Sequence, residues 1–185
     1  MRETFYTSLK QGERGERLTE SFFEQLKEMK VIRDWKRTDH WVFQHCGLDW
    51  ETDYILYNKE GQTKGAEVKT LSGLYKGSPC ATFVIESWKD NNFKVRPNWW
   101  KATTNGFLHI VVIVNERTGL IHFFSAPKLQ RWIIENDPAL TFCRNENQQN
   151  RNGRIVKVGW ENKEAGHLFT IRKEEDKWER LTTED

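Results

Sequence analysis

The chain has 185 residues, 29 Lys and Arg against 27 Asp and Glu, a net charge of +2 and 30% charged residues. That length suits one domain, 1–185, with a real hydrophobic core. The near-balanced charge excludes a histone-like polycation, while a clustered basic face remains compatible with nucleic-acid binding. Cys46, Cys80 and Cys143 are odd in number and form no Cys-x-x-Cys. They argue against a disulfide framework or zinc ribbon and for a reducing, cytoplasmic setting. Residues 1–5 carry no apolar segment of the secretory type. The apolar run 107–114 is far too short to span a bilayer, so no membrane association is expected.

The first predicted element is a helix from about Glu13 to Met29. Leu18, Phe22, Phe23, Leu26 and Met29 recur at helical spacing and define its apolar face. At about 100° per residue, Glu16 lies only about 20° around the helix from Phe23, so it is the carboxylate best placed to reach over the helix edge toward a sheet. Segments 31–38 and 41–45 read as a first strand or strand pair. His40 and His45 fall on opposite faces of such a pair and make poor metal partners.

An apolar run then follows Thr52-Asp53, and after the turn Asn58–Gln62 a second run carries Glu67-Val68-Lys69. Asp53 and Glu67 lie 14 positions apart, which suits two antiparallel strands joined by that turn. Residues i and i+2 of a strand share a face, so Glu67 and Lys69 project together beside an Asp on the neighbouring strand. Two carboxylates and an ammonium converging on one spot are what metal-assisted phosphodiester hydrolysis requires. The carboxylates hold a hard cation, the cation offsets phosphate charge and acidifies water, and the ammonium orients that water or offsets developing negative charge. Asp49 is the rival to Asp53, but it precedes a turn rather than an apolar run. An ordinary surface hairpin with a Glu and a Lys is the competing interpretation.

Residues 71–79 read as a loop, and Thr82–Trp88 as the next strand, ending in Glu86, either an additional site carboxylate or an edge charge. Lys94, Arg96, Trp99, Trp100 and Lys101 then form the densest basic-aromatic interleaving in the chain, with Pro97 opening a short helix. The cations suit phosphates and the Trp rings suit either base stacking or the core. A buried strand over 107–115, a partner over 120–124 and a helix opening at Ser125-Ala126-Pro127 follow. The polar stretch 144–153, with Arg144 and Arg151 and neighbouring Arg154, reads as a loop that substrate could order. Strands over 155–160 and 168–172 form an expected C-terminal hairpin, and 173–185 an expected frayed tail.

The Asp53…Glu67-x-Lys69 pattern resembles the PD-(D/E)xK nuclease superfamily, with Thr52 standing where the family has Pro. Lys10-Gln11-Gly12-Glu13-Arg14-Gly15-Glu16 is similar to the Lys-Gly-x-x-x-Glu start of the first helix in many of these nucleases, Holliday-junction resolvases among them, although Gln11 interrupts the Lys-Gly pair. The resemblance covers roughly residues 10–135. It implies an α/β, restriction-endonuclease-like fold: a mixed central sheet flanked by helices, here with the C-terminal β-hairpin added. It implies a Mg²⁺- or Mn²⁺-dependent nuclease acting on DNA, with Asp53, Glu67 and the Val68 carbonyl as ligands and Lys69 and Glu16 completing the catalytic set, Glu20 and Glu86 being the alternatives to Glu16. Charge and ring chemistry separately put Lys94, Arg96, Trp99, Trp100 and Lys101, with Arg151 of the polar loop, at the nucleic acid. A homodimer is compatible with it. Two other classes remain open at this point: a nuclease-fold protein that binds without cutting, and a Trp-rich module that binds something other than nucleic acid.

Overall fold

A computed structural model of the chain describes residues 5–38, 52–75, 77–88, 94–136, 141–142 and 154–181. Helix α1 spans Phe5–Glu28, longer at its start than the apolar pattern alone predicts. It stops at Lys30, whose φ of 57° is the left-handed turn that ends many helices. The Val31 N–H bonds to the Leu26 carbonyl at 2.8 Å and the Lys30 N–H to that of Lys27 at 2.9 Å, which satisfies carbonyls the last turn would otherwise leave open. Met29, expected on the apolar face, lies beyond the helix and is exposed.

The strands are β1 Asp34–Arg37, β2 Tyr54–Tyr57, β3 Thr63–Leu71, β4 Leu74–Tyr75, β5 Ser78–Pro79, β6 Thr82–Trp88, β7 Leu108–Asn115, β8 Leu120–Ser125, β9 Thr141–Phe142, β10 Arg154–Gly159, β11 His167–Glu174 and β12 Lys177–Leu181. Among the described residues, two further helices are α2, Asn98–Thr104, and α3, Ala126–Glu135. Among the described residues, the main sheet has seven strands in the order β1-β2-β3-β7-β8-β11-β12. Only β3 and β7 pair in parallel, so the sheet is mixed and the fold is α/β. The parallel pair needs a long crossover. It is supplied by residues 72–107, which contain β6 and α2.

The two faces of this sheet carry separate cores. On one, Phe22 and Phe23 of α1 pack with Tyr54, Leu56, Ala66 and Val68. On the other, α2, α3 and the three-stranded sheet β6-β10-β9 cover Val111, Ile113 and Phe124. β7 is central and covered on both sides, which accounts for its nearly unbroken Ile and Val content. Among the described residues, no helix is long and apolar enough to cross a membrane.

Two expectations change here. β10 and β11 do not form a hairpin with each other: β10 pairs with β6 in the small sheet, and β11 joins β8 in the main one. The C-terminal hairpin is β11–β12, in which β12 is built from residues expected to fray. Its anchor is Trp178, which is buried against Phe22 and donates its indole N–H to Ser21 Oγ at 2.7 Å. The stretch 71–79, expected as a loop, contains the short β4–β5 pair.

β8 also buries an imidazole. His122 is 2% exposed, and burial holds its pKa down to about 4, with His167 adding to the effect. An unfolded histidine titrates near 6.5. Above that value both states are neutral and the folded chain keeps its full stability. Below it the unfolded chain takes up a proton that the folded one refuses until about pH 4, so stability drains away across that window, by about 3 kcal/mol in all. Denaturant melts at pH 7 and pH 4 on wild type and His122→Gln measure this directly. The variant should lose markedly less between the two pH values, and an equal loss would show that His122 is not the group responsible.

Candidate active site

The hairpin β2–β3 places the central residues. Its register pairs Tyr54 with Ala66, and one further step sets Asp53 opposite Glu67. Tyr54, Ala66 and Val68 belong to the core under α1. Alternation along a strand therefore turns Glu67 and Lys69 to the opposite face, with Asp53 at the adjoining end of β2. The turn is held by Asn58, whose Oδ1 accepts the Gln62 N–H at 2.7 Å, and by Gly61 at φ 80°.

Glu67 is only 6% exposed and is ion-paired with the Lys69 ammonium. Desolvation by the surrounding protein works against the Lys69 charge, although 45% of its side chain stays exposed. The Coulombic pull and hydrogen bond of Glu67, with Asp53 and Glu86 behind it, outweigh burial and raise the Lys69 pKa above its ordinary value. Lys69 is therefore an ammonium. Asp53 Oδ2 accepts the Val68 N–H at 2.6 Å. In an extended strand the N–H and C=O of one residue lie on the same edge. The Val68 carbonyl thus faces the edge where Asp53 sits.

Two carboxylates on adjoining strands and a main-chain carbonyl on the same edge are hard oxygen donors, the type that suits Mg²⁺ or Mn²⁺. Among the described residues no group of three His, Cys, Asp or Glu stands ready to hold a metal ion. The fit therefore rests on Asp53, Glu67 and the Val68 carbonyl.

Glu16 is placed differently from the sequence expectation. It lies on the α1 side of the sheet, where its carboxylate is ion-paired with Arg37 of β1. Glu20 joins the same cluster, 3.6 Å from Arg37, and accepts the Tyr54 hydroxyl at 2.9 Å. Burial, followed by that bond and the charges of Glu20 and Glu16, drives the Tyr54 pKa upward. The helical wheel correctly puts Glu16 beside the apolar face, but the partner it finds is Arg37.

The glycine that the helix requires is Gly15. A Cβ there would overlap the Thr70 hydroxyl of β3, whereas a Cβ on Gly12 meets nothing within 4 Å. Gly15→Ala should push α1 off the strand that carries Glu67 and Lys69, at a cost of about 1–3 kcal/mol. Gly12→Ala should be neutral or slightly stabilising. Thermal melts of the two variants separate the positions, and equal behaviour would remove the close approach from the account.

The basic-aromatic segment also divides. Trp99 and Trp100 are 3% and 6% exposed and belong to the core over β7. The Trp99 indole donates to the Glu86 carbonyl at 2.8 Å, tying α2 to β6. Arg96 lies between two rings, 3.3 Å from the Trp88 centroid and 3.9 Å from that of Trp100, and donates to the Ser87 carbonyl at 3.0 Å. Trp99 and Trp100 are thus packing elements, a correction to their expected place at the nucleic acid, while Arg96 is half-buried against two rings. Lys94 and Lys101 are exposed. Arg151, Asp49, His40 and His45 lie outside the described residues.

The hydrogen-bonded run His122, Thr170, His167 has no local signature along the chain, because its members come from β8 and β11 and meet only through long-range pairing. No protein-family model matches the chain, and comparison with curated proteins returns no match.

Proposed function

We propose that this chain is a divalent-metal-dependent deoxyribonuclease, an endonuclease that hydrolyses DNA phosphodiester bonds. The observation that carries the proposal is the convergence of Asp53, Glu67 and Lys69 on one hairpin, with Glu67 buried and salt-bridged to Lys69. The restriction-endonuclease-like fold is part of the same proposal. It is supported by the mixed sheet with a parallel β3–β7 centre, α1 on one face, and α2 and α3 on the other.

When bound, Mg²⁺ or Mn²⁺ supplies Lewis acidity toward a phosphate oxygen and lowers the pKa of water. Asp53, Glu67 and the Val68 carbonyl hold the ion. Burial fixes the Glu67 carboxylate, and the Val68 N–H fixes that of Asp53. Lys69 donates to the attacking water and to the charge that develops on the phosphate. Lys94 and Lys101 stay exposed to meet the DNA backbone. DNA is the partner this chemistry calls for, as a monomer or homodimer in a reducing, intracellular compartment.

The test is nicking of supercoiled plasmid that requires Mg²⁺ and stops with chelator. Its absence from folded wild-type protein would leave only binding. Lys69→Ala should lower kcat by roughly two orders of magnitude or more, because a group aimed at charge developing in the transition state acts there. DNA affinity should change far less. Equal losses in rate and affinity would make Lys69 an ordinary phosphate contact.

A further inference from the structure

A cleft of 520 Å³ lies away from Asp53 and Glu67, between the start of α3, the turn after β10 and the β11–β12 hairpin. Register places it. Glu67 pairs with Val111, Val111 with Phe124, and Phe124 with His167. His167 therefore lies in the same row of the sheet as Glu67 but three strands away, about 14 Å. Val111 and Phe124, buried between them, belong to the core under α2 and α3.

Three cations line this cleft, each from a different element: Lys128 of α3, Lys163 of the turn and Arg180 of β12. Among the described residues that line it, Glu161 is the one carboxylate against these three cations, a surplus of two positive charges. The Arg180 guanidinium lies 5.3 Å over the Phe169 ring, which fixes its place. His167 sits among them. Its Nε2 is 2.9 Å from Thr170 Oγ1, and Thr170 Oγ1 is 2.9 Å from Nδ1 of buried His122. The His122 Nε2 has no hydrogen-bond partner among the described residues. Burial and the Lys163 and Arg180 charges hold His167 below the ordinary histidine value, while Glu161 and a backbone bond at Phe169 pull the other way.

We propose that this cleft binds a phosphate group, either a free one, as in inorganic phosphate or a mononucleotide, or one on a nucleic-acid backbone. Cations arriving from three elements suit a tetrahedral phosphate, whose oxygens point in several directions, better than a planar carboxylate. The volume is that of a small-molecule cleft. The inference does not depend on the nuclease proposal, since none of these residues belongs to the Asp53–Glu67 site.

An anion here offsets the Lys163 and Arg180 charges and favours protonated His167. Protonated His167 offers only a donor at Nε2, so Thr170 accepts from it and gives its own proton to His122 Nδ1. His122 is then the Nε2–H tautomer. The bound state therefore has a signature in two imidazoles, one in the cleft and one in the core.

The experiment is ¹⁵N NMR of the histidine rings in the full chain, titrated separately with inorganic phosphate, a 5′-mononucleotide and a short DNA duplex. Saturable shifts of His167, an upward move of its titration midpoint and the Nε2–H form of His122 are expected with at least one ligand. A response to phosphate or mononucleotide but not duplex identifies a free phosphate; a response to duplex alone identifies the nucleic-acid backbone. Lys163→Ala/Arg180→Ala should weaken binding about tenfold or more. Lys163→Ala alone, at an exposed turn position, should weaken it severalfold and keeps the test independent of Arg180 packing on Phe169. No saturable change with any of the three ligands, or unchanged affinity in both variants, overturns the proposal.

Discussion

Asp53→Asn is expected to abolish Mg²⁺-dependent cleavage while leaving the thermal melt close to that of wild type. Asp53→Ala is expected to abolish cleavage and also to lower stability. The two differ because of one hydrogen bond. Asp53 Oδ2 accepts the Val68 N–H at 2.6 Å, and an asparagine keeps an oxygen for that donor whereas an alanine does not. Loss of a charge-assisted bond costs about 1.5–3 kcal/mol. Some of that is returned, because two facing carboxylates repel in the absence of metal and either variant removes one of them. Considered without the Val68 bond, relief of repulsion leads to the opposite expectation for alanine, a fold unchanged or slightly more stable. Plasmid nicking and thermal melts on the same preparations, with and without Mg²⁺, measure both quantities. Mg²⁺ should stabilise wild type and do little for either variant, since a ligand that binds the folded state raises its apparent stability. Full activity in Asp53→Asn would transfer the ligand to Asp49 or remove the site from this hairpin.

The hairpin was legible because everything that defines it is local. A period-two pattern, a polar turn and a short separation fix which residues share a face, and β2 and β3 form where that pattern puts them. Strand β6, helix α3 and the pair β7–β8 were legible for the same reason. What the sequence left hidden depends on partners far along the chain. β10 has a strand pattern, but nothing in that pattern says that it pairs with β6 rather than with β11. Lys177-Trp178-Glu179-Arg180-Leu181 reads as a charged tail, and only the docking of Trp178 on α1 makes it a strand. Glu16 shows both sides of this. Its position beside the apolar stripe follows from helical geometry, while its pairing with Arg37 follows from where β1 lies.

The Trp residues of α2 provide the second large effect. Trp99→Ala and Trp100→Ala should each destabilise the fold by roughly 3–5 kcal/mol, the cost of emptying an aromatic site in a packed core. Both rings are almost wholly buried and lie edge-on to each other, with centroids 5.4 Å apart. Trp100→Ala should have a second consequence. It removes one wall of the Arg96 sandwich and leaves the guanidinium on Trp88 alone. Trp100→Phe should recover much of the loss, because a smaller ring still fills part of the space and still faces the cation. Measured well below their melting points, none of these variants should show a selective defect on branched or single-stranded DNA. A ring that stacked on an unpaired base would instead cost about 1–3 kcal/mol of binding there and little stability. The exposed Lys101 predicts the converse pattern. Lys101→Ala should leave the melt unchanged, weaken binding about equally for all sequences and reduce the salt slope by about one unit. Denaturant melts paired with binding titrations across salt concentrations separate the two classes. A Trp variant with wild-type stability and a branched-DNA defect would return that ring to the nucleic acid and take it out of the core.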